Sequence, residues 1–533
     1  MKMNYSYKII LSILIVFAPG IACDTEDLHE MNINPEALNE VNMNFVFTAA
    51  ELSVASGGFA GDNRYIDWRT NIGYCSYFVQ HLASTSTSGL TGSDKYFENN
   101  EAWSAPWAFW YGDVGKNLAL IFSETGPGGF EEGRRKNTVA ASKILWALNF
   151  HRLTDFYGNI PYKEACQGTE GVFLPKYDTQ QSVYTDLFSK LSEGVSEIST
   201  SNDDDGFAAA DIIYDGDINK WKKWGNSLML RLAMRISNVD PSTAATYVTQ
   251  AVSGGVFSSN DDNAWVPMAD GPGEWVNQNG ISRAFQPGDG GHSRVMSKTL
   301  IDFLKGADPN NPSDVDPRLF ILTEGIHGNT NPVDQEGMPN GLDEAGLDVY
   351  TGIPNSSPGA LFTQVNMLLL DDSDPYQLMN YAEVCFLMAE AIERGIGTVP
   401  GTAQQHYENG VKAAMQMYTP LDASLDVSDA KVAVYLAKYP YGGGGVTGGE
   451  SKLEQIGYQM WVSKFMNWWE AWCDWRRTGY PTLEAVNYPG SGSPGVIPTK
   501  LRVPISEAAI NGINYDAGAT KPDSPVGKVW WDQ

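Results

Sequence analysis

Residues able to do covalent or metal chemistry are thinly spread along this 533-residue chain. Of the six histidines, His29, His81, His151, His292, His327 and His406, no two stand at metal-ligand spacing, and there is no HExxH, nucleophile elbow or phosphate loop. Gly442 to Gly445 form a glycine run without the lysine and following helix cap of a phosphate loop, so a flexible turn is expected there. Asp308 to Asp316 sets Asp and Asn at short intervals, as a calcium loop would, yet lacks the glycine and the closing bidentate glutamate of an EF-hand. With 64 Asp and Glu, carboxylate pairs for glycoside hydrolysis can always be nominated, and no spacing selects one. No catalytic residue, metal or cofactor is expected. Non-covalent chemistry has a better route. A sugar ring presents a face of C–H groups that stacks on an aromatic side chain, while amides and carboxylates take its hydroxyls. Aromatic residues make up 12% of the chain, with 16 Trp, more than a core of this size requires. Rings in loops, outside any helical stripe, are the candidates: Tyr96 in TGSDKYFENN, Trp265 and Trp275 in a glycine-rich stretch, and Tyr350 in LDVYTG. Asn263 and Asn277, beside two of these rings, are the candidate polar partners.

One thiol stands apart. Lys2 and Lys8 precede an apolar run from Ile9 to Ala18, and the small residues of Pro19-Gly20-Ile21-Ala22 lead to Cys23. This is the pattern of a secretory signal peptide over residues 1–22. The run is shorter than the roughly 20 apolar residues a spanning helix needs. It resembles the lipobox of bacterial lipoproteins, in which cleavage leaves the cysteine as the new N-terminus, to be acylated. More than one acyl chain makes such an anchor stable. Asp24-Thr25-Glu26-Asp27 follows at once, an acidic run similar to the signal that sends lipoproteins of Bacteroidetes to the cell surface.

Formal net charge is −28, so nucleic acid and anionic membrane surfaces are poor partners, and a neutral or cationic ligand suits the chain better. Cys75, Cys166, Cys385 and Cys473 are too widely spaced for a CxxC site. Cys385 and Cys473 fall in helical runs, where buried free thiols are the expectation.

The elements that must position these groups read as helical. NTVAASKILWALNFHRLTDFY carries Ala141, Ile144, Leu145 and Leu148 on one face, stopped by Gly158 and Pro161. A second helix starts near Thr179 as its cap and aligns Val183, Leu187, Leu191 and Val195. WKKWGNSLMLRLAMRIS and PSTAATYVTQAV continue as a third and fourth. Residues 253–375 form a loop-rich insertion, with turn formers and isolated aromatics but no period, and long ordered loops of this kind are usually functional. Helical pattern returns in DPYQLMNYAEVCFLMAEAIERG, read as one helix, and TAQQHYENGVKAAMQMY. Ala382 and Ala389, seven apart, allow close approach of a partner helix, as in tetratricopeptide-type pairs. SKLEQIGYQMWVSKFMNWWEAWCDWRRTG reads as one more helix, whose Trp461, Phe465, Trp468, Trp472 and Trp475 make one buried stripe.

Taken in order, INPEAL, LTDFYGNIPYKEA with PKYDTQQSVYTDL, KWKKWGNSLMLRLAMRIS, YAEVCFLMAEAIERG, EAWCDWRRTGYP and LRVPISEAAINGINY resemble the SusD/RagB outer-membrane lipoproteins of Bacteroidetes, within the SusD-like lipoprotein subgroup, over nearly the whole mature chain. The resemblance implies an all-α fold with tetratricopeptide-like helix pairs and a single nutrient-binding domain over residues 23–533. It also implies a partner, a SusC-like TonB-dependent transporter in the outer membrane, with an oligosaccharide or polysaccharide as cargo. Within such a family Asp155 of LTDFYG and Arg476-Arg477 of DWRRTG read as structural groups that cap helices and pair charges. No motif of the family marks its ligand residues. Three alternatives stay open: peptide cargo, as for RagB-like members; a surface glycoside hydrolase; and a subunit that only gates the transporter.

Overall fold

The computed structural model describes residues 41–532 apart from 56–63, 90–92, 204, 272–276 and 287–293. The described chain is all-α, with strands confined to two-stranded ribbons. Helix α1 (Met43–Val54) packs Phe47 against Phe207 and Trp221 at ring separations of 5.8 and 6.0 Å. Helix α2 (Lys136–Tyr157) is the central one. Only Lys136, Val139 and Lys143 escape burial, so the apolar face seen in the sequence is part of a helix enclosed on all sides. Helix α3 (Gln180–Glu197) starts where Thr179 accepts the Ser182 N–H, and buries Val183, Leu187 and Leu191 as expected.

Helices α4 (Ile218–Arg235) and α5 (Pro241–Gly254) form the next pair. Asp240 caps α5 and Pro241 takes its first position, where a missing N–H costs nothing. A third pair is α7 (Tyr381–Arg394) with α8 (Ala403–Gln416), after the short α6 (Gly280–Ala284). Ala382 and Ala389 are fully buried, and a Cβ on Gly410 would come within 2.6 Å of the Phe386 ring, so glycine is what permits the approach. The pairs α2–α3, α4–α5 and α7–α8 make the most extensive packing in the molecule. No described helix between residues 253 and 375 exceeds eight residues.

Two expected helices are interrupted. The DPYQLM part of the fifth run is a strand, Tyr376–Met379, paired antiparallel with Ala264–Val266; Asn380 then caps α7 through the Glu383 N–H. The tryptophan-rich run is two helices, α9 (Lys452–Ser463) and α10 (Trp468–Thr478). Between them Met466 takes a φ of +75°, and Asn71 holds the break, donating to the Met466 carbonyl and accepting the Trp469 N–H. The stripe survives the break: Trp461, Phe465, Trp468 and Trp472 are buried, while Trp475 at its end is half-buried.

What joins the pairs is ionic and buried. Arg231 Nε and Nη2 donate to the two oxygens of Glu383 at 2.6 and 2.7 Å, and Arg235 Nη2 donates to Glu470 Oε2 at 2.7 Å. Lys464 lies 3.1 Å from Glu383 and also bonds Asp474. Asp155 takes Arg235 Nη1 at 3.4 Å, and Arg477 pairs with Glu390, so these motif residues serve the scaffold. Burial alone would raise the Glu470 carboxyl, but Arg231, His151, Arg235 and Lys464 hold it well below the usual range. Because the native pKa is depressed, the stabilisation is present above the unfolded value and is lost as pH falls through the native one. Glu470→Gln is expected to cost about 3–5 kcal/mol in urea unfolding at pH 7. The gap from wild type should narrow as pH falls below the ordinary carboxylate range, and a loss under about 1 kcal/mol would show that the cations are satisfied without it.

Candidate functional site

The loop aromatics named from sequence do not form one cluster. Trp265 lies on the ribbon opposite Gln377, half-buried, and lines a small cavity of about 20 Å³ with Asn279, Ile281, Asp374 and Tyr418. Asn263, just before the ribbon, is buried, and its Oδ1 accepts the Tyr381 N–H at 2.7 Å, tying the ribbon to the start of α7. Asn277 is half-buried with a φ of +62°, and its carbonyl accepts the Ala269 N–H at 2.8 Å. Tyr96, with a φ of +59°, is only 1% exposed. Its ring meets Phe78 edge-on at 5.8 Å and its hydroxyl accepts the Val486 N–H, so in this structure it is a core residue. A chain segment that reads as an open loop is folded inward there. Tyr350, on the helix Glu344–Thr351, is 52% exposed, its ring 6.5 Å from Phe362. Trp275 and Cys23 lie outside the described residues.

A ring pair missed in the sequence is joined to the Trp265 ribbon through other residues. Tyr65 and Trp68 are half-buried with ring centroids 5.8 Å apart, and the Arg69 guanidinium lies 4.5 Å from the Tyr65 ring centre while pairing with Glu101. They stand at the entry to a π-helical stretch, Asp67–Cys75, whose wider turn breaks the side-chain period. Such turns recur at functional sites, and YIDWR offered only two rings three residues apart as a signal. The two parts are linked: Tyr376, from the strand paired with Trp265, donates to Asp67 Oδ1 at 2.8 Å, and Asn71 donates to the same oxygen. Helix α6 packs on the π-helical stretch, and its Ile281 lines the Trp265 cavity.

Polar groups gather at the start of α6, where Asn279 and Asp374 line the Trp265 cavity. Asn279 caps α6 with its Oδ1, donates its backbone N–H to the Asp372 carbonyl at 2.8 Å and its amide to the Asp374 carbonyl at 3.0 Å. Gln278 donates to Asp270 at 2.6 Å. Burial raises the Asp374 carboxyl to about 6, with Asp371 and Asp422 adding to the rise, and burial likewise lifts Asp372. Stacking faces, carboxamides, a guanidinium and carboxylates together can hold a polyhydroxylated ligand. Among the described residues, no group of three His, Cys, Asp or Glu could hold a metal ion. Because the native pKa of Asp374 lies above its unfolded value near 3.9, native stability falls as pH rises between the two. Asp374→Asn should therefore melt higher than wild type at pH 8, with the difference shrinking toward pH 4; equal melting temperatures at both pH values would show that this carboxylate carries no burial penalty.

The whole chain was compared with known proteins. A SusD-like family model described as "Starch-binding associating with outer membrane" matches residues 35–504. Comparison with curated protein sequences gives no match. Among solved structures, a chitin-binding protein is 31% identical with a TM-score of 0.77, covering 92% of this chain and 100% of its own. A SusD-like protein of Bacteroidetes AC2a is 27% identical with a TM-score of 0.75, at 92% and 100% coverage. A chitin-binding SusD homolog from Flavobacterium johnsoniae, 23% identical with a TM-score of 0.73 and 92% and 98% coverage, shares the fold. No described helix is long and apolar enough to cross a membrane. With the helix pairs, the interrupted ribbon and a family match running through nearly all of the folded body, the chain belongs to the SusD-like family of starch-binding proteins that associate with the outer membrane.

Proposed function

We propose that this protein captures an oligosaccharide or polysaccharide at the cell surface and delivers it to a SusC-like TonB-dependent transporter, without cleaving it. The observation that carries the reading is two sets of half-buried rings joined through Tyr376 and α6: the Tyr65–Trp68 pair with Arg69 over it, and Trp265 with Asn279 in its cavity. Trp275, Asn277 and Tyr350 remain proposed contacts of the same ligand. A glycan of N-acetylated sugars is favoured over starch, because a 31% identical relative is named as chitin-binding. Its ring faces stack on tryptophan as those of glucose do, and its amides add partners for carboxylates and carboxamides. Family membership supports binding rather than catalysis. Acylated Cys23 would hold the body at the outer membrane, in agreement with the family's association there.

Titration calorimetry with the hexamers of N-acetylglucosamine and of glucose tests the cargo. Trp68→Ala and Trp265→Ala should each weaken binding of the preferred hexamer at least tenfold, about 1.4 kcal/mol. The hexamer should be recovered intact after prolonged incubation; shorter products would identify a hydrolase. Unchanged affinity in both variants would remove the site, and no affinity for either sugar would favour peptide cargo. For the anchor, Cys23→Ala should leave the protein unlabelled by radioactive palmitate and release it from the membrane fraction, whereas retention of the variant would disprove acylation at that thiol.

A further inference from the structure

A second aromatic cavity lies away from the rings just described, between α3, α5 and the segment carrying Trp530. It holds about 250 Å³, and no residue of the Tyr65–Trp68–Trp265 cluster lines it. Ligand cavities for whole drug-sized molecules begin at roughly 300 Å³, so this one suits a sugar unit of a longer chain. Its floor is two buried rings one helical turn apart on α3, Tyr184 and Phe188. Each carries a half-buried ring above it. Tyr247 of α5 stacks on Phe188 at 4.0 Å with planes 6° apart, so one face is covered and the remaining exposure belongs to its edge and opposite face. Trp530 meets Tyr184 at 6.1 Å, nearly edge-on.

The rings are held firmly. Buried Asp155 accepts both the Tyr184 hydroxyl, at 2.5 Å, and the Trp531 indole N–H, at 2.7 Å. The Trp530 backbone N–H donates to Gln180 Oε1 at 2.7 Å, and Gln180 in turn donates to the Thr154 carbonyl. The LTDFYG motif thus holds the floor and, through Gln180, the Trp530 backbone in one bonded unit of the scaffold. The lip is polar and uncharged apart from one carboxylate: Gln181, Thr243 and Thr246 line the opening, with Asp240. Asp240 is committed to capping α5, and its hydrogen bonds from Thr243 lower its pKa, so it stays an acceptor. Hydroxyls, a carboxamide and an accepting carboxylate around ring faces suit a neutral polyol, and neither an anion nor a purely apolar ligand is matched by this lip.

We propose that this cavity is a second glycan subsite, in which a unit of the captured chain stacks on Tyr247 and Trp530 with its hydroxyls on the Thr243, Asp240 and Gln181 side. The inference rests on the glycan-capture reading above. Two subsites on one body would raise the avidity for long chains over short ones without any new contact at the first. The test is calorimetry of the mature protein with the N-acetylglucosamine and glucose hexamers, alongside retardation in gels containing soluble polysaccharide. Wild type should show two classes of site for the preferred sugar. Tyr247→Ala and Trp530→Ala should each weaken one class at least tenfold and leave the class removed by Trp68→Ala untouched. Thermal melts accompany each variant, and Tyr247→Ala, whose side chain is half-buried, decides the matter if Trp530→Ala unfolds. A single class of site, or unaltered binding in Tyr247→Ala, overturns the second subsite while glycan capture stands. Absence of glycan binding in wild type overturns both.

Discussion

Each of the three described helix pairs lends at least one residue to a buried set of charges. Glu470 and Glu383 sit among Arg231, Arg235, Arg152, His151 and Lys464, contributed by α2, α4, α7, α10 and the break before α10. Removing such ions from water costs several kcal/mol each, and only dense mutual pairing offsets it. The pairing is geometric as well as energetic. A guanidinium that spans both oxygens of one carboxylate fixes the angle between two helices in a way apolar packing alone does not. The helix pairs are therefore keyed to each other at one centre, and the irregular insertion can vary around it.

From that centre outward the molecule divides by what it asks of its aromatic residues. Trp468, Trp469, Trp472 and Trp110 are buried beside the charges, and Arg152 and Arg476 lie over indole rings at 5.1 and 3.9 Å, so the tryptophans shield the network as they pack. Tyr65, Trp68, Trp265, Tyr247 and Trp530 are half-buried, and the first three gather where the ribbon, α6 and the π-helical stretch converge. The high aromatic content of the chain thus serves two tasks. The larger share closes a core weakened by its own charges, and the smaller share faces solvent beside hydrogen-bonding groups.

The scaffold was legible in the sequence because helical period and caps are local. Thr179, Asp240 and Thr402 mark helix starts by side chains that bond the next turn, whatever the rest of the chain does. The interruptions were not legible, since each depends on a distant partner. DPYQLM is a strand because Ala264–Val266 lies beside it, and the helix breaks at Met466 because Asn71 takes both ends of the gap. The same holds for the site. Tyr96 looked like a loop ring, yet Phe78 and Val486 enclose it from far along the chain. Tyr65 and Trp68 gave no periodic signal, because a π-helical turn shifts register within a few residues. Trp265 was singled out because its neighbourhood has no period at all.

The hydrogen bonds on Asp155 carry one more implication, for how the protein is made. Its carboxylate sits in the central helix α2, yet the groups that neutralise it and fill its oxygens come from Arg235, Tyr184 and, far later, Trp531, while Arg476 takes its carbonyl. A nascent chain holding only its first half already has His151, Tyr184 and Arg235 for this carboxylate and lacks the Trp531 indole N–H. The early helices can therefore dock around a carboxylate that is already paired, and the C-terminal tryptophan closes over it as the last partner to arrive.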